Sequence, residues 1–213
     1  MSSRQQQFEA MLALQHRMNS KVHPEWFKQG FAYYRALWIE CAELMEHHGY
    51  KWWKKQTPDL EQVCLEIVDI WHFGLSMLID GRDFSDIAAE MEHALHDYEH
   101  SDTTILTATE TLAQSTLSSR RFSVPDFWSL LQSADMSSDD LYRMYVGKNV
   151  LNFFRQDNGY KEGSYLKLWS GREDNEHLVE ISDALDSRSA DYEKHLYAAL
   201  KSRYQQVLEE VER

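Results

Sequence analysis

Glu66, Asp69 and His72 interrupt an otherwise apolar run from Val63 to Ile79, VCLEIVDIWHFGLSMLI. They recur every third residue and so lie close to one face of a helix. An ionised carboxylate inside an apolar helix is costly unless it is paired or binds a metal, and here two stand one turn apart. The stretch Leu37 to Met45, LWIECAELM, repeats the arrangement with Glu40 and Glu43. Four converging carboxylates repel one another unless cations sit between them, and an all-oxygen donor set suits Mg²⁺ or Mn²⁺. The competing reading pairs each acid with an arginine or lysine, or turns it to solvent. A single E-x-x-E is common in helices; its doubling on two apolar helices favours the metal.

His72 is open to two readings, a metal ligand or a hydrogen-bonded core histidine. With Glu90 and His93 it sketches a rival chemistry. The D-x-x-H at Asp69 to His72 and the E-x-x-H at Glu90 to His93 are similar to the ligand pattern of a di-iron carboxylate helical bundle.

Two further groups of residues could handle a ligand. Lys148, Asn152 and Arg155 fall within about 60° of one another on a helical wheel, while Val146, Val150, Phe153 and Phe154 cluster on the far side. Followed by Gln156, Tyr160 and Lys161, they form a plausible phosphate clamp, with arginine offering a fork and lysine a point charge. The plain alternative is a solvated helix face. Gln15 and Asn19, one turn apart, could read the edge of a base, and the indoles of Trp52 and Trp53 could stack on one. Taken alone, Gln15 and Asn19 read as ordinary surface residues and the two tryptophans as core or dimer contacts.

The elements that must position these residues are helices. Phe8 to Val22 carries Met11, Leu14 and Met18 on one face. A second helix is expected from Pro24 to about His48, closed by Gly49. A third is expected from a Thr57 N-cap with Pro58 in the first turn, running to about Asp80 before Gly81. Another begins at Ser85 or Asp86 and runs to about His100. Asp102 to Thr116 is threonine-rich and weakly patterned helix, and a short helix runs from Ser123-Val124-Pro125 to about Ala134. An S-x-x-D capping box at Ser137 to Asp140 opens a helix to about Asp157, which Asn158-Gly159 closes. Gly159 to Leu168 reads as a loop. Helices over Asn175 to Leu185 and Ala190 to Glu212 finish the chain. No strand pattern is evident. The expected architecture is one all-α domain over 1–213, a helical bundle whose core holds two antiparallel carboxylate-bearing helices; 102–121 is the least defined part, and 183–213 is a structural helical region.

Composition sets outer bounds. The 213 residues carry a formal charge of −13, which disfavours a general nucleic-acid binder. With 43% hydrophobic residues, three prolines and eight glycines, a sizeable helical core is affordable. Cys41 and Cys64 sit in apolar runs and read as buried thiols, which fits a reducing compartment. The N-terminus lacks the apolar segment of a signal peptide, and no uncharged apolar run reaches membrane-spanning length. The expectation is a soluble cytoplasmic protein with no membrane partner.

Five blocks in order carry a family resemblance: LALQHRMN at Leu12 to Asn19, ECAEL at Glu40 to Leu44, WK at Trp53-Lys54, EIVDIWHF at Glu66 to Phe73, and GKNVLNFFRQDNGYKEGSY at Gly147 to Tyr165. REDN at Arg172 to Asn175 is a weaker sixth. With these the chain resembles the dimeric all-α dUTPases, members of the all-α nucleoside triphosphate pyrophosphatase superfamily that includes MazG-like proteins. The resemblance implies hydrolysis of dUTP to dUMP and pyrophosphate, acceptance of dUDP, and a homodimer. It implies Mg²⁺ held by Glu40, Glu43, Glu66 and Asp69, with Glu43 orienting or deprotonating the attacking water. It places Lys148, Asn152, Arg155, Gln156, Tyr160 and Lys161 on phosphate oxygens with Asn175 nearby. It gives Gln15 and Asn19 to the uracil and sugar, and Trp53, His72 and Phe73 to the pocket wall. A pyrophosphatase for another deoxynucleotide such as dCTP keeps the superfamily and changes the substrate. A non-enzymatic helical interaction module is the third reading.

Overall fold

The computed structural model describes residues 2–96, 98, 102–185 and 191–211. Their helices are α1 (Ser3–Val22), α2 (Tyr33–His48), α3 (Leu60–Leu78), α4 (Phe84–Ala94), α5 (Ile105–Ser119), α6 (Val124–Ser133), α7 (Ser138–Asp157), α8 (Asp174–Asp183) and α9 (Tyr192–Val211). The one sheet among the described residues is a ribbon of β1 (Leu168–Trp169) and β2 (Arg172–Glu173). The fold is therefore all-α. No helix among the described residues is long and apolar enough to cross a membrane. The chain divides into two compact units, residues 1–142 and 143–213.

In the first unit, α2 and α3 run antiparallel. Asp59 N–H donates to the His47 carbonyl at one end, and the Tyr33 and Phe73 rings lie 6.4 Å apart at the other. The pair is held because α3 buries most of its circumference, from Val63 to Ser76. Trp71 is its anchor. It stacks on Phe127 at 4.5 Å, meets Phe8 and Phe122, and donates from Nε1 to the Met11 sulfur. Burying an aromatic ring of this size is worth on the order of 5 kcal/mol before entropy. At Gly74 the helix passes so near Phe122 that a Cβ would lie 2.6 Å from the ring. α1 lies against α3 and α4, and α5 against α2 and α6.

Several boundaries differ from expectation for local reasons. α2 starts at Tyr33, not Pro24, because a 3-10 turn at Trp26–Lys28 is followed by Gly30 at φ 63°, which breaks the helix. α3 starts after Asp59 rather than Thr57, since the Asp59 carboxylate accepts from the Gln62 N–H and takes the cap. It ends at Leu78. Thr104 caps α5, so the threonine-rich stretch is helical from Ile105 onward. The Ser137–Asp140 capping box forms as expected. α4 ends at Ala94, short of the expected His100, because the Leu95 N–H turns back to the Glu92 carbonyl and closes the helix; the expected helix bounds at Ala190 and Glu212 lie outside the described residues. Cys41 is buried and Cys64 only half-buried, and both thiols are free.

In the second unit, α7 ends in a Schellman turn. Gly159 takes φ 87° and Tyr160 N–H donates to the Arg155 carbonyl. The ribbon turns through Ser170 and Gly171, both at positive φ, as a two-residue type I′ hairpin requires. Strands of two residues are too short to show alternation in sequence. Trp169 is fully buried among Phe154, Tyr165, Tyr204 and His177. α9 supplies Tyr204, which stacks on Tyr165 and whose hydroxyl accepts from the Leu166 N–H.

Candidate active site

Glu40 and Glu43 on α2 face Glu66 on α3, with ligand oxygens of all three within 4.8 Å of one another. Glu66 is buried, Glu40 half-buried and Glu43 exposed. Glu40 is pushed up to about 8, first by burial, then by the charge of Asp69 and by Glu66 and Glu43. It hydrogen-bonds to Glu66, and two carboxyl groups can do so only if one holds a proton. Burial and neighbouring like charge both favour the protonated form of Glu40, and a cation between the carboxylates would balance the same charge. That arrangement of hard oxygen donors fits a divalent metal. Asp69 is half-buried and lies outside the group of three. His47, at the end of α2, brings its Nε2 to 3.6 Å from Glu66.

Sequence reasoning overlooked His47. His72 is buried and donates from Nδ1 to the Val68 carbonyl, a helix-internal bond, with Asp69 at 3.8 Å. Glu90 and His93 are exposed and Glu90 pairs with Arg82. Neither they nor His72 join a metal-competent cluster among the described residues. The di-iron pattern therefore does not assemble, because Glu90 and His93 face solvent rather than the core.

Gln15 and Asn19 are buried, not surface amides. Gln15 Nε2 donates to Asn19 Oδ1 at 3.0 Å and to Ser76 Oγ at 3.1 Å, and Asn19 Nδ2 donates to Ser76 Oγ at 3.0 Å. Ser76 also lines an open cleft of about 240 Å³ walled by Trp26, Phe31, Tyr33 and Tyr34. Phe73 is half-buried against Tyr33. Trp52 and Trp53 are 90% and 60% exposed in the loop after α2, so neither is a core residue of the first unit.

In the second unit, Lys148 and Arg155 are buried, so this side of α7 is not a solvated face. The Arg155 fork is taken by Asp174, at 2.8 and 2.7 Å, and Tyr165 donates its hydroxyl to the same carboxylate. Burial pulls the Arg155 guanidinium down, but the Asp174 bonds and charge raise it overall. Asn152 Oδ1 accepts from Arg155, and Asn175 Oδ1 accepts from both Lys148 and Arg155, at 3.3 Å each. Two cationic groups converge on one amide oxygen, a geometry that a phosphate oxygen could also satisfy. Gln156 is half-buried, Lys161 is exposed, and Tyr160 is 48% exposed with Arg155 over its ring at 5.9 Å.

A family model described as dUTPase matches residues 7–160, well over half of the chain. The chain belongs to the dUTPase family. No curated protein matches it. This dUTPase is a hydrolase, a dUTP diphosphatase, and its carboxylate cluster accords with the use of a divalent metal in the family. The match covers the amide pair, both carboxylate helices, all of α7 and the turn after it as far as Tyr160; Lys161, Asp174 and Asn175 lie beyond it. Asp174 was missed as a functional candidate. It sits inside REDN, but nothing in sequence shows that the first residue of a helix will be fully buried against an arginine 19 positions away.

Proposed function

We propose that this dUTPase cleaves dUTP to dUMP and pyrophosphate at a Mg²⁺ site made by Glu40, Glu43, Glu66 and Asp69. The observation that carries this reading is the convergence of the Glu40, Glu43 and Glu66 carboxylates, with ligand oxygens within 4.8 Å of one another. Mn²⁺ can replace Mg²⁺ in an all-oxygen site. When bound, the metal neutralises phosphate charge and acidifies water. Glu43 takes the proton of the attacking water, as the exposed member of the group. Glu66, buried, holds the geometry. Gln15 and Asn19 read the uracil, with Trp53, His72 and Phe73 as wall. Lys148, Asn152, Arg155, Gln156, Tyr160, Lys161 and Asn175 take phosphate oxygens. Because these contacts are to phosphate rather than to a particular leaving group, dUDP is also a substrate, giving dUMP and phosphate.

The two compact units act as one nucleotide pyrophosphatase domain, which the family match supports by running across residue 142. The enzyme is a homodimer: α2 exposes Trp38 and Ile39, at 41% and 49%, on the side also carrying Ala42. Apolar side chains grouped on an exposed helix face mark an interaction surface. Two free thiols fit the cytoplasm. The test is Glu43→Gln. Loss of a general base lowers kcat by about 10² to 10⁴ with little change in KM. Full activity in that variant would remove Glu43 from water activation.

A further inference from the structure

We infer that Ser76 is a positioning residue that sets the hydrogen-bonding sense of the Gln15–Asn19 pair, and through it the preference for uracil over cytosine. The inference rests on the reading that these amides meet the base. A hydroxyl has one proton and two acceptor lone pairs. Ser76 spends its proton on the His72 carbonyl, 2.9 Å away and one helical turn earlier. Toward the amides it can only accept, and it accepts from both.

The geometry of the triangle removes every other arrangement. Turning Gln15 alone sets its carbonyl against two oxygens, Asn19 Oδ1 and Ser76 Oγ. Turning Asn19 alone sets nitrogen against nitrogen and oxygen against oxygen. Turning both restores the Gln15–Asn19 bond with roles exchanged, and the pair by itself does not distinguish that state from the observed one. Ser76 does, because the exchanged state aims two carbonyl oxygens at an oxygen whose proton is committed elsewhere.

The consequence is a fixed polarity. Gln15 donates both Nε2 hydrogens within the triangle, so the group it can turn to a base is its carbonyl, an acceptor. Asn19 uses one Nδ2 hydrogen on Ser76 and keeps one to donate. Uracil presents an N3–H donor and an O4 acceptor, which this polarity complements. Cytosine presents an N3 acceptor and an N4 donor, which only the exchanged state would complement. A site that pairs buried polar groups with one base penalises the other strongly. Ser76 also forms part of the wall of the aromatic cleft, so the triangle stands beside a space suited to a flat ring.

The test compares wild type, Ser76→Ala, Ser76→Thr and Gln15→Ala for kcat/KM on dUTP and dCTP, and for competitive inhibition by dUMP and dCMP. In Ser76→Ala the dUTP-to-dCTP ratio falls about tenfold or more while dCMP binding does not weaken. Ser76→Thr, which keeps the hydroxyl, retains the wild-type ratio. A purely structural role would weaken both bases alike. That outcome, or an unchanged ratio in Ser76→Ala, overturns the inference. Should Ser76→Ala not fold, Ser76→Cys, a weak acceptor, carries the same comparison. If Gln15→Ala keeps the wild-type ratio, the amide reading of the base fails. If Gln15→Ala collapses the ratio and Ser76→Ala does not, the role of Ser76 alone is wrong.

Discussion

Glu40 has a measurable signature. Its carboxyl is raised to about 8, chiefly by burial and by Asp69. The folded chain therefore holds a proton that the unfolded chain releases near the ordinary carboxyl value. Stability from this group is fully present below that value and drains away as pH rises toward 8. In EDTA, wild type loses stability relative to Glu40→Gln between pH 5 and pH 8, seen as a falling urea midpoint. If Mg²⁺ occupies the proposed site it displaces the same proton, so its apparent affinity is predicted to rise with pH across the window. A difference that stays flat with pH would contradict the assignment. The carboxylates were legible because an acid in an apolar run needs a partner. Ser76 was not: a serine on a buried helix looks ordinary until its two amide partners, from a helix 57 and 61 positions away, are brought to it.

At the scale of elements, the second unit turns on one buried ion pair linking α7 to the start of α8. Asp174 is fully buried and holds both Arg155 and Tyr165. Removing one partner of such a pair leaves a charge in the interior at a cost of about 3–5 kcal/mol. Asp174→Ala should lose that much in urea unfolding, and a loss below about 1 kcal/mol would show that Arg155 finds another partner. The helices were largely legible from caps and apolar spacing, including the Ser137–Asp140 box. Their starts were less so. Gly30 at positive φ overrides Pro24, and Asp59 outcompetes Thr57 as a cap because its carboxylate reaches the Gln62 N–H. The burial of Lys148 was illegible, since the wheel shows which residues share a face but not that another element covers it.

For the whole molecule, the expected all-α class and the dUTPase family stand, and the alternative of a solvated Lys148–Arg155 face does not. The proposed homodimer predicts that Ile39→Glu, a charge placed on the exposed α2 face, shifts sedimentation from dimer to monomer with a fall in specific activity; an unchanged dimer would move the interface elsewhere. Catalysis is tested most directly by pyrophosphate release from dUTP, dCTP and dTTP, each with Mg²⁺ and with EDTA. The account predicts release from dUTP that far exceeds the other two and stops in EDTA. Equal rates for the three nucleotides, or full activity in EDTA, would contradict it.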